Sequence, residues 1–304
     1  MDTTIGVVLV TYNRIDKLKT ALQCFERQSI LPKYIVVVDN ASTDGTRDFL
    51  EEWKAIESSY RKYVFHSDLN TGGSGGFNKA LELGINLDAE WIWASDDDAF
   101  PEDDALAIAT KFITEHCHDN YAAICSSVIN NGRYDLSHRK NYHIKGLNII
   151  EEWIPEDLYK NEYFELTTYS YVGAIMRKEL LKSVGLPNKD YFLWCDDTEH
   201  SLRMSKKGKI ACVPAIRVHH DVGVSNSGLT WKTYYGFRNL TDMYRKHFPK
   251  RCFLWFVYKM KLKTLLKDMK RVDQLENKII RIAINDGKQG KLGIHETYKP
   301  GWKP

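Results

Sequence analysis

Ile5-Gly6-Val7-Val8-Leu9-Val10, running directly into Thr11-Tyr12-Asn13-Arg14, decides the fold class. A short continuous apolar run rich in β-branched residues reads as a strand buried on both faces, the habit of a parallel sheet. A helical pattern follows over about 15–27, then a second buried strand at 34–38 that ends in Asp39-Asn40. The alternation continues with a helix over about 46–53, a short strand at 64–66, the segment Asn70–Gly76 before a helix through Leu83, and a strand at 91–94. Asp96-Asp97-Asp98 and a helix over about 103–116 close this half. Such β-α-β-α alternation predicts an α/β fold, a doubly wound and mostly parallel sheet with helices on both faces. Ligands of such sheets bind at the carboxyl ends of the strands. Asp39, Gly72–Gly76 and Asp96–Asp98 all fall there.

The second half is less regular. Residues 122–128 and 170–176 read as strands, and the aromatic and polar stretch 130–169 as loops or an edge hairpin. An aspartate pair opens a helix within 193–208. A strand over 210–214 and a loop at Val218–Ser225 follow, and from about Leu229 the pattern is helical. We expect one domain at 1–228, divided at about residue 120. A basic helical extension at 229–304 completes the chain.

Four clusters carry chemistry. Three consecutive carboxylates repel one another unless a cation lies among them, and hard oxygen ligands suit Mg²⁺ or Mn²⁺. The same triplet also reads as an acidic helix N-terminus. Asp39 can accept hydrogen bonds from a nucleotide base or ribose, or simply form a turn with Asn40 and Asp44. The four glycines of Asn70–Gly76 permit close backbone approach, and helix N-terminal amides attract phosphate. They match neither the dinucleotide fingerprint nor the Walker pattern, and a plain turn is the rival reading. Asp196-Asp197, with Glu199, follows the aromatic Tyr191-Phe192-Leu193-Trp194. A carboxylate beside an aromatic wall can deprotonate a sugar hydroxyl while the ring stacks on the sugar; the alternative is again a helix N-terminus. His219-His220 offer a further metal ligand or an ordinary histidine pair.

The order of these motifs resembles the inverting nucleotide-sugar glycosyltransferases of family two, with the GT-A fold. The resemblance covers about residues 4–245, and rests on Thr11-Tyr12-Asn13-Arg14, Asp39-Asn40-Ala41-Ser42-Thr43-Asp44-Gly45, Asn70–Gly76, Asp96–Asp98, Trp194-Cys195-Asp196-Asp197 and His220-Asp221-Val222-Gly223. Within the family it looks most like galactofuranosyltransferases, with rhamnosyltransferases close by. The resemblance implies that Thr11, Tyr12, Arg14, Asp39, Asn70, Gly72, Gly73, Asp96 and Asp97 line the nucleotide site. It implies that Arg238, paired with Asn239, lies near the diphosphate. Asp96 and Asp98 would bind Mn²⁺ or Mg²⁺ with His220, His219 being the substitute. Asp197 would be the catalytic base, with Trp194, Asp196, Glu199, Gly75 and Gly76 around the acceptor, and 1–228 would be the catalytic domain, its nucleotide-sugar half ending at about 120 and its acceptor half lying beyond. Cys195 departs from the family pattern by separating Trp194 from Asp196. The chain is also shorter than the polymerising mycobacterial members, so polymerisation is not implied. The expected activity is transfer of a sugar, first choice galactofuranose from UDP-galactofuranose, to a glycan or lipid-linked glycan in bacterial surface polysaccharide synthesis. A dTDP-rhamnose transferase is the alternative, and a non-catalytic nucleotide-sugar-binding protein or a phosphohydrolase the rival of another class.

Composition bounds the partners. The 304 residues carry 43 basic and 40 acidic side chains, a net of +3. That sum hides a split, −9 over residues 1–225 and +12 over 226–304. Residues 249–271 mix aromatic and apolar side chains with lysines, a pattern suited to anionic membrane surfaces. No nucleic-acid module accompanies the charge. The six scattered cysteines form no CxxC pair and read as free thiols. With no signal-peptide pattern and no spanning apolar stretch, the expected location is cytoplasmic, peripheral at the inner face of the membrane. A homo-oligomer is compatible with all of this.

Overall fold

The computed structural model describes residues 3–223 and 228–304. Its strands are β1 (Ile5–Thr11), β2 (Tyr34–Asp39), β3 (Arg61–His66), β4 (Trp91–Asp96), β5 (Ala99–Pro101), β6 (Tyr121–Asn130), β7 (Arg133–Tyr134), β8 (Arg139–Lys145), β9 (Asn148–Trp153), β10 (Phe164–Leu166), β11 (Thr168–Tyr169), β12 (Ala174–Arg177) and β13 (Lys209–His220). The helices are α1 (Ile15–Glu26), α2 (Thr46–Ala55), α3 (Gly72–Ile85), α4 (Ala105–Glu115), α5 (Lys178–Val184), α6 (Asp196–Met204), α7 (Lys232–His247), α8 (Lys250–Met269) and α9 (Gln274–Gln289).

The main sheet runs β10-β13-β6-β12-β4-β1-β2-β3. Strands β1 to β4 pair in parallel, as do β6 and β13, while β12 is antiparallel to β4 and β6. The opening apolar run is buried throughout. Its alternate residues serve opposite faces: Val7 and Leu9 join the cluster holding Phe25 and Trp93, and Val8 and Val10 join the one holding Phe77 and Tyr34. Burying each such side chain stabilises by roughly 1.5–3 kcal/mol, so β1 is costly to misplace. Its carboxyl end, with those of β2 and β4, therefore occupies a well-determined position.

Three expectations need correction. The glycine segment is not a loop before a helix, because α3 already begins at Gly72. The strand expected at 170–176 begins only at Ala174, as β12, after Gly173, whose φ is +71°. The loop expected at Val218–Ser225 is strand as far as His220; residues 224–227 lie outside the described residues. Pro214 suggested an end to that strand. Instead the register shifts between Val213 and Arg217, and such a bulge accommodates a proline. The 130–169 stretch does contain the edge hairpin, β8 and β9, joined by β11 in a separate three-stranded sheet.

Candidate active site

Strand β4 ends at Asp96, which delivers the acidic triplet to the carboxyl edge of the sheet. Thr11, at the end of β1, donates its hydroxyl to Asp97 Oδ2 at 2.8 Å. Arg14 Nη1 bridges Asp97 Oδ1 (3.1 Å) and Asp98 Oδ2 (2.6 Å). The loops after β1 and β2 are tied together, Asn13 Oδ1 accepting from the Thr43 amide and Ser42 Oγ from the Asn13 amide. Tyr12 stands exposed beside them. Burial pushes the Asp97 carboxyl up to about 6, with Arg14 opposing. Asp96 lies well above the usual carboxylate range, first through burial and then through the charges of Asp98 and Asp97. Burial works against ionised Asp98 too, but the hydrogen bond from His220 and the charge of Arg14 hold it below the usual range.

The two histidines point to opposite sides of β13, as strand alternation requires. His220 Nε2 lies 3.3 Å from Asp98 Oδ1, whereas His219 Nε2 meets Glu102 at 3.0 Å and is exposed. His138, which nothing in the sequence marked, packs edge-on to His220 with ring centroids 5.1 Å apart.

The second carboxylate pair starts α6. Asp197 Oδ1 accepts from the Thr198 amide (2.6 Å) and hydroxyl (3.1 Å), and the charge of Asp197 reaches Asp96, so the two clusters share one cleft. Burial and the neighbouring Asp197 push Asp196 up to about 7. Burial also raises Asp197, but the two Thr198 donors and the charges of Lys140 and Arg139 act to ionise it. Both carboxyls of the pair are thus held above the usual carboxylate range, with donors and positive charge opposing the rise at Asp197. Lys140 comes from β8, through its pairing with Thr168 in β11. No spacing in the sequence linked it to Asp197.

The aspartates are presented by a strained turn. Phe192, Trp194 and Cys195 have φ of +65°, +65° and +66°. Such conformations cost of order 1–3 kcal/mol each and persist only where the surroundings over-determine them. Two segments do so. On one side the Ser74 amide donates to the Phe192 carbonyl (3.2 Å). Gly72, at φ +72°, approaches so closely that a Cβ there would overlap that carbonyl. On the other side Asn239 Nδ2 lies within 3.0 Å of the carbonyls of Tyr191, Leu193 and Trp194. Arg238 donates to the carbonyls of Tyr191, Asp190 and Gly293 and to Asn239 Oδ1.

Several expected ligands are thereby reassigned. Arg238 is 1% exposed and engaged with carbonyls, so it is not available to a diphosphate. Gly72 and Asn70 serve the fold, the Gly72 amide donating to Asn70 Oδ1 at 2.8 Å. Gly75 packs on Thr71 and Gly76 on Val10, which removes them from the acceptor; only Gly73 among these four faces open space. Glu199 is buried and binds Arg203 and His247. Burial would raise it, but His247 and Arg203 outweigh that and hold it at about 2. It joins α6 to α7 rather than lining an acceptor pocket. Both Asp39 oxygens are engaged, by the Ser42 amide and by His66 Nδ1, each at 2.9 Å, so turn chemistry accounts for its placement. Trp194 is half exposed at the cleft, its ring lying against Gly236 of α7.

A cavity of about 540 Å³ between Trp91, Phe112, Tyr121 and Arg177 opens at the opposite end of the sheet and holds none of these groups. The cleft itself is where a doubly wound sheet binds ligands. The mostly parallel sheet flanked by helices, with this cleft at its carboxyl edge, is a GT-A type of glycosyltransferase fold. Residues 6–185, more than half of the chain, match the family model described as glycosyl transferase family 2, and the chain belongs to that family. It is 27% identical over 207 residues to galactofuranosyltransferase GlfT1 of Mycolicibacterium smegmatis, a match covering 66% of this chain and 65% of that protein. The chain thus spans just under two-thirds of that relative's length. It is 20% identical over 303 residues, 92% of this chain and 89% of the relative, to the GalNAc(5)-diNAcBac-PP-undecaprenol beta-1,3-glucosyltransferase of Campylobacter jejuni. Among solved structures, S. aureus TarS 1-349 in complex with UDP-GlcNAc superposes with a TM-score of 0.59 at 17% identity, covering 99% of this chain and 98% of that one. GalNAc-T7 with UDP, GalNAc and Mn²⁺ gives 0.63 at 14% identity, over 94% of this chain and 56% of that one.

Proposed function

We propose that the chain is an inverting glycosyltransferase that moves a sugar from a nucleotide-diphosphate donor, first choice UDP-galactofuranose, to a glycan acceptor of bacterial surface polysaccharide. The observation that carries this reading is Asp197. One carboxylate oxygen is anchored by Thr198, and the group lies across the cleft from Asp96. Asp197 takes the proton from the acceptor hydroxyl as that oxygen attacks the anomeric carbon and the bond to the diphosphate breaks. One displacement inverts the configuration, and no side chain acts as nucleophile. Asp196 and the half-exposed Trp194 ring orient the acceptor. Thr11 and Arg14 fix the acidic strand end from the nucleotide side.

The acidic triplet fits a divalent cation. Among the described residues no group of three or more His, Cys, Asp or Glu is already gathered around one point. Yet the half-buried Asp96 carboxylate has no hydrogen-bond donor among the described residues and lies among like charges, and His220 Nδ1 is buried without a partner. Asp96, Asp98 and His220 would hold Mn²⁺ or Mg²⁺, with Arg14 releasing Asp98. A bound cation supplies positive charge against the departing diphosphate. The names of relatives support the donor and acceptor classes, one a galactofuranosyltransferase and one acting on a polyprenol-diphosphate glycan.

The test is product formation from a panel of UDP- and dTDP-sugars with Mn²⁺, for wild type and Asp197→Asn. Asp197→Asn is expected to lose roughly 10²–10⁴-fold in turnover while keeping UDP binding. Near wild-type turnover would remove Asp197 as base, and turnover with dTDP-rhamnose alone would replace the donor.

A further inference from the structure

Helix α8 is apolar on two sides. Cys252, Phe253, Val257 and Thr264 are buried, and Phe253 and Val257 pack with Met243, Tyr244 and Ile284 of α7 and α9. A second set, Leu254, Tyr258, Leu262, Leu265 and Met269, recurs three or four residues apart and is exposed, Met269 to 75%. At about 100° per residue this second stripe lies roughly opposite the first. A helix whose only task were to pack on the domain would carry polar residues there.

The stripe has a charged border on both sides. Lys259, Lys263 and Lys270 flank one edge and Lys250 and Lys261 the other, by the same helical spacing. The tip of the β8–β9 hairpin adjoins it. Asn148 Oδ1 accepts from Trp255 Nε1 (3.1 Å) and from Lys259 Nζ, while Ile144 and Leu147 beside that tip are exposed apolar side chains. Of the two acidic residues near the end of the helix, Asp268 is paired with Arg281 and Asp273 with Lys267. No helix is long and apolar enough to cross a membrane among the described residues.

We infer that this face, α8 from Leu254 to Met269 with the hairpin tip, lies on an anionic lipid surface. The apolar stripe enters the headgroup boundary while the bordering lysines meet anionic headgroups. Charge complementarity selects this occupant: a stripe bordered by lysines on both edges would repel a second copy of itself. The inference rests on none of the catalytic assignments.

The full chain is sedimented with phosphatidylglycerol-containing and with pure phosphatidylcholine vesicles. Anionic vesicles are expected to bind at least tenfold more tightly, with the preference lost at high salt. Leu262→Glu with Leu266→Glu should abolish binding without moving the thermal midpoint, because both side chains are exposed. Lys263→Gln with Lys270→Gln should weaken binding to anionic vesicles by about fivefold per lysine. Equal binding to both vesicle types, or binding unaffected by the glutamates, overturns the inference. So does a dimer in analytical ultracentrifugation that the glutamates dissolve, since the face would then be a subunit contact.

Discussion

Replacing Asn239 by alanine separates a residue that shapes the site from one that binds the donor. Its amide nitrogen lies 3.0, 2.8 and 3.0 Å from the carbonyls of Tyr191, Leu193 and Trp194. Leaving buried carbonyls unpaired costs about 1–3 kcal/mol. The turn they belong to already carries three left-handed non-glycine residues, so it has every tendency to relax. A net loss of about 2–3 kcal/mol lowers the thermal midpoint of a chain this long by roughly 3–5 °C. The relaxed turn moves Asp197, and a displacement of about 1 Å at a reacting group costs on the order of 10²-fold in rate. Differential scanning calorimetry, titration with UDP and steady-state turnover measure the three effects separately. The expected result is a lower midpoint, a turnover reduced by roughly 30–100-fold and a UDP affinity within about twofold of wild type. An unchanged midpoint with UDP affinity and turnover falling together would refute the reasoning and return the Arg238-Asn239 pair to the diphosphate.

Three further outcomes follow from the same structure. Glu199→Gln is expected to cost about 3 kcal/mol at neutral pH, from a carboxyl held near 2 instead of its ordinary 4.5. That stability is present above the ordinary value and lost as pH falls through 2, so the gap between the urea midpoints of variant and wild type should narrow by roughly half between pH 6 and 3; a constant gap would show that charge is not the cause. Gly72→Ala should prevent folding or destabilise by several kcal/mol through its +72° φ and its overlap with Phe192, whereas Gly73→Ala, facing open space, should change stability by less than about 1 kcal/mol. Equal effects in thermal denaturation would mean the turn does not sit on α3. Asp98→Asn should remove the extra thermal stabilisation that Mn²⁺ adds to UDP while leaving the protein folded; a persistent Mn²⁺ increment would place the cation elsewhere.

The α/β class was legible because Ile5–Val10 and the strand at 34–38 are apolar runs with strand-like length, and carboxylates after them fall at strand ends whatever the details. The carboxylate pairs were legible because like charges in a row are costly without a use. The glycines and Arg238-Asn239 were harder. Glycine for a phosphate and glycine for a crowded carbonyl look identical in sequence, and only the approach of Phe192 to Gly72 separates them. An arginine that binds carbonyls and one that binds phosphate differ only in what stands opposite. Here that is a turn some 45 residues earlier, from Tyr191 to Trp194. Lys140 left no trace because it is carried on a small separate sheet whose pairing no local pattern announces, and His138 because it sits in the turn just before that sheet's first strand.

The β8–β9 hairpin has one end at Lys140, whose charge reaches Asp197, and the other beside α8, at Asn148. Its strand rises about 3.4 Å per residue, so the five steps from Lys140 to Lys145 set these ends about 17 Å apart. If α8 rests on a bilayer as inferred, the hairpin would bound the distance between the lipid and the base proposed at Asp197. An acceptor hydroxyl on a stem too short to climb that height would never meet Asp197, however well its terminal sugar fitted. Acceptor choice would then depend on how far the growing glycan already stands from its anchor, as well as on which sugar ends it.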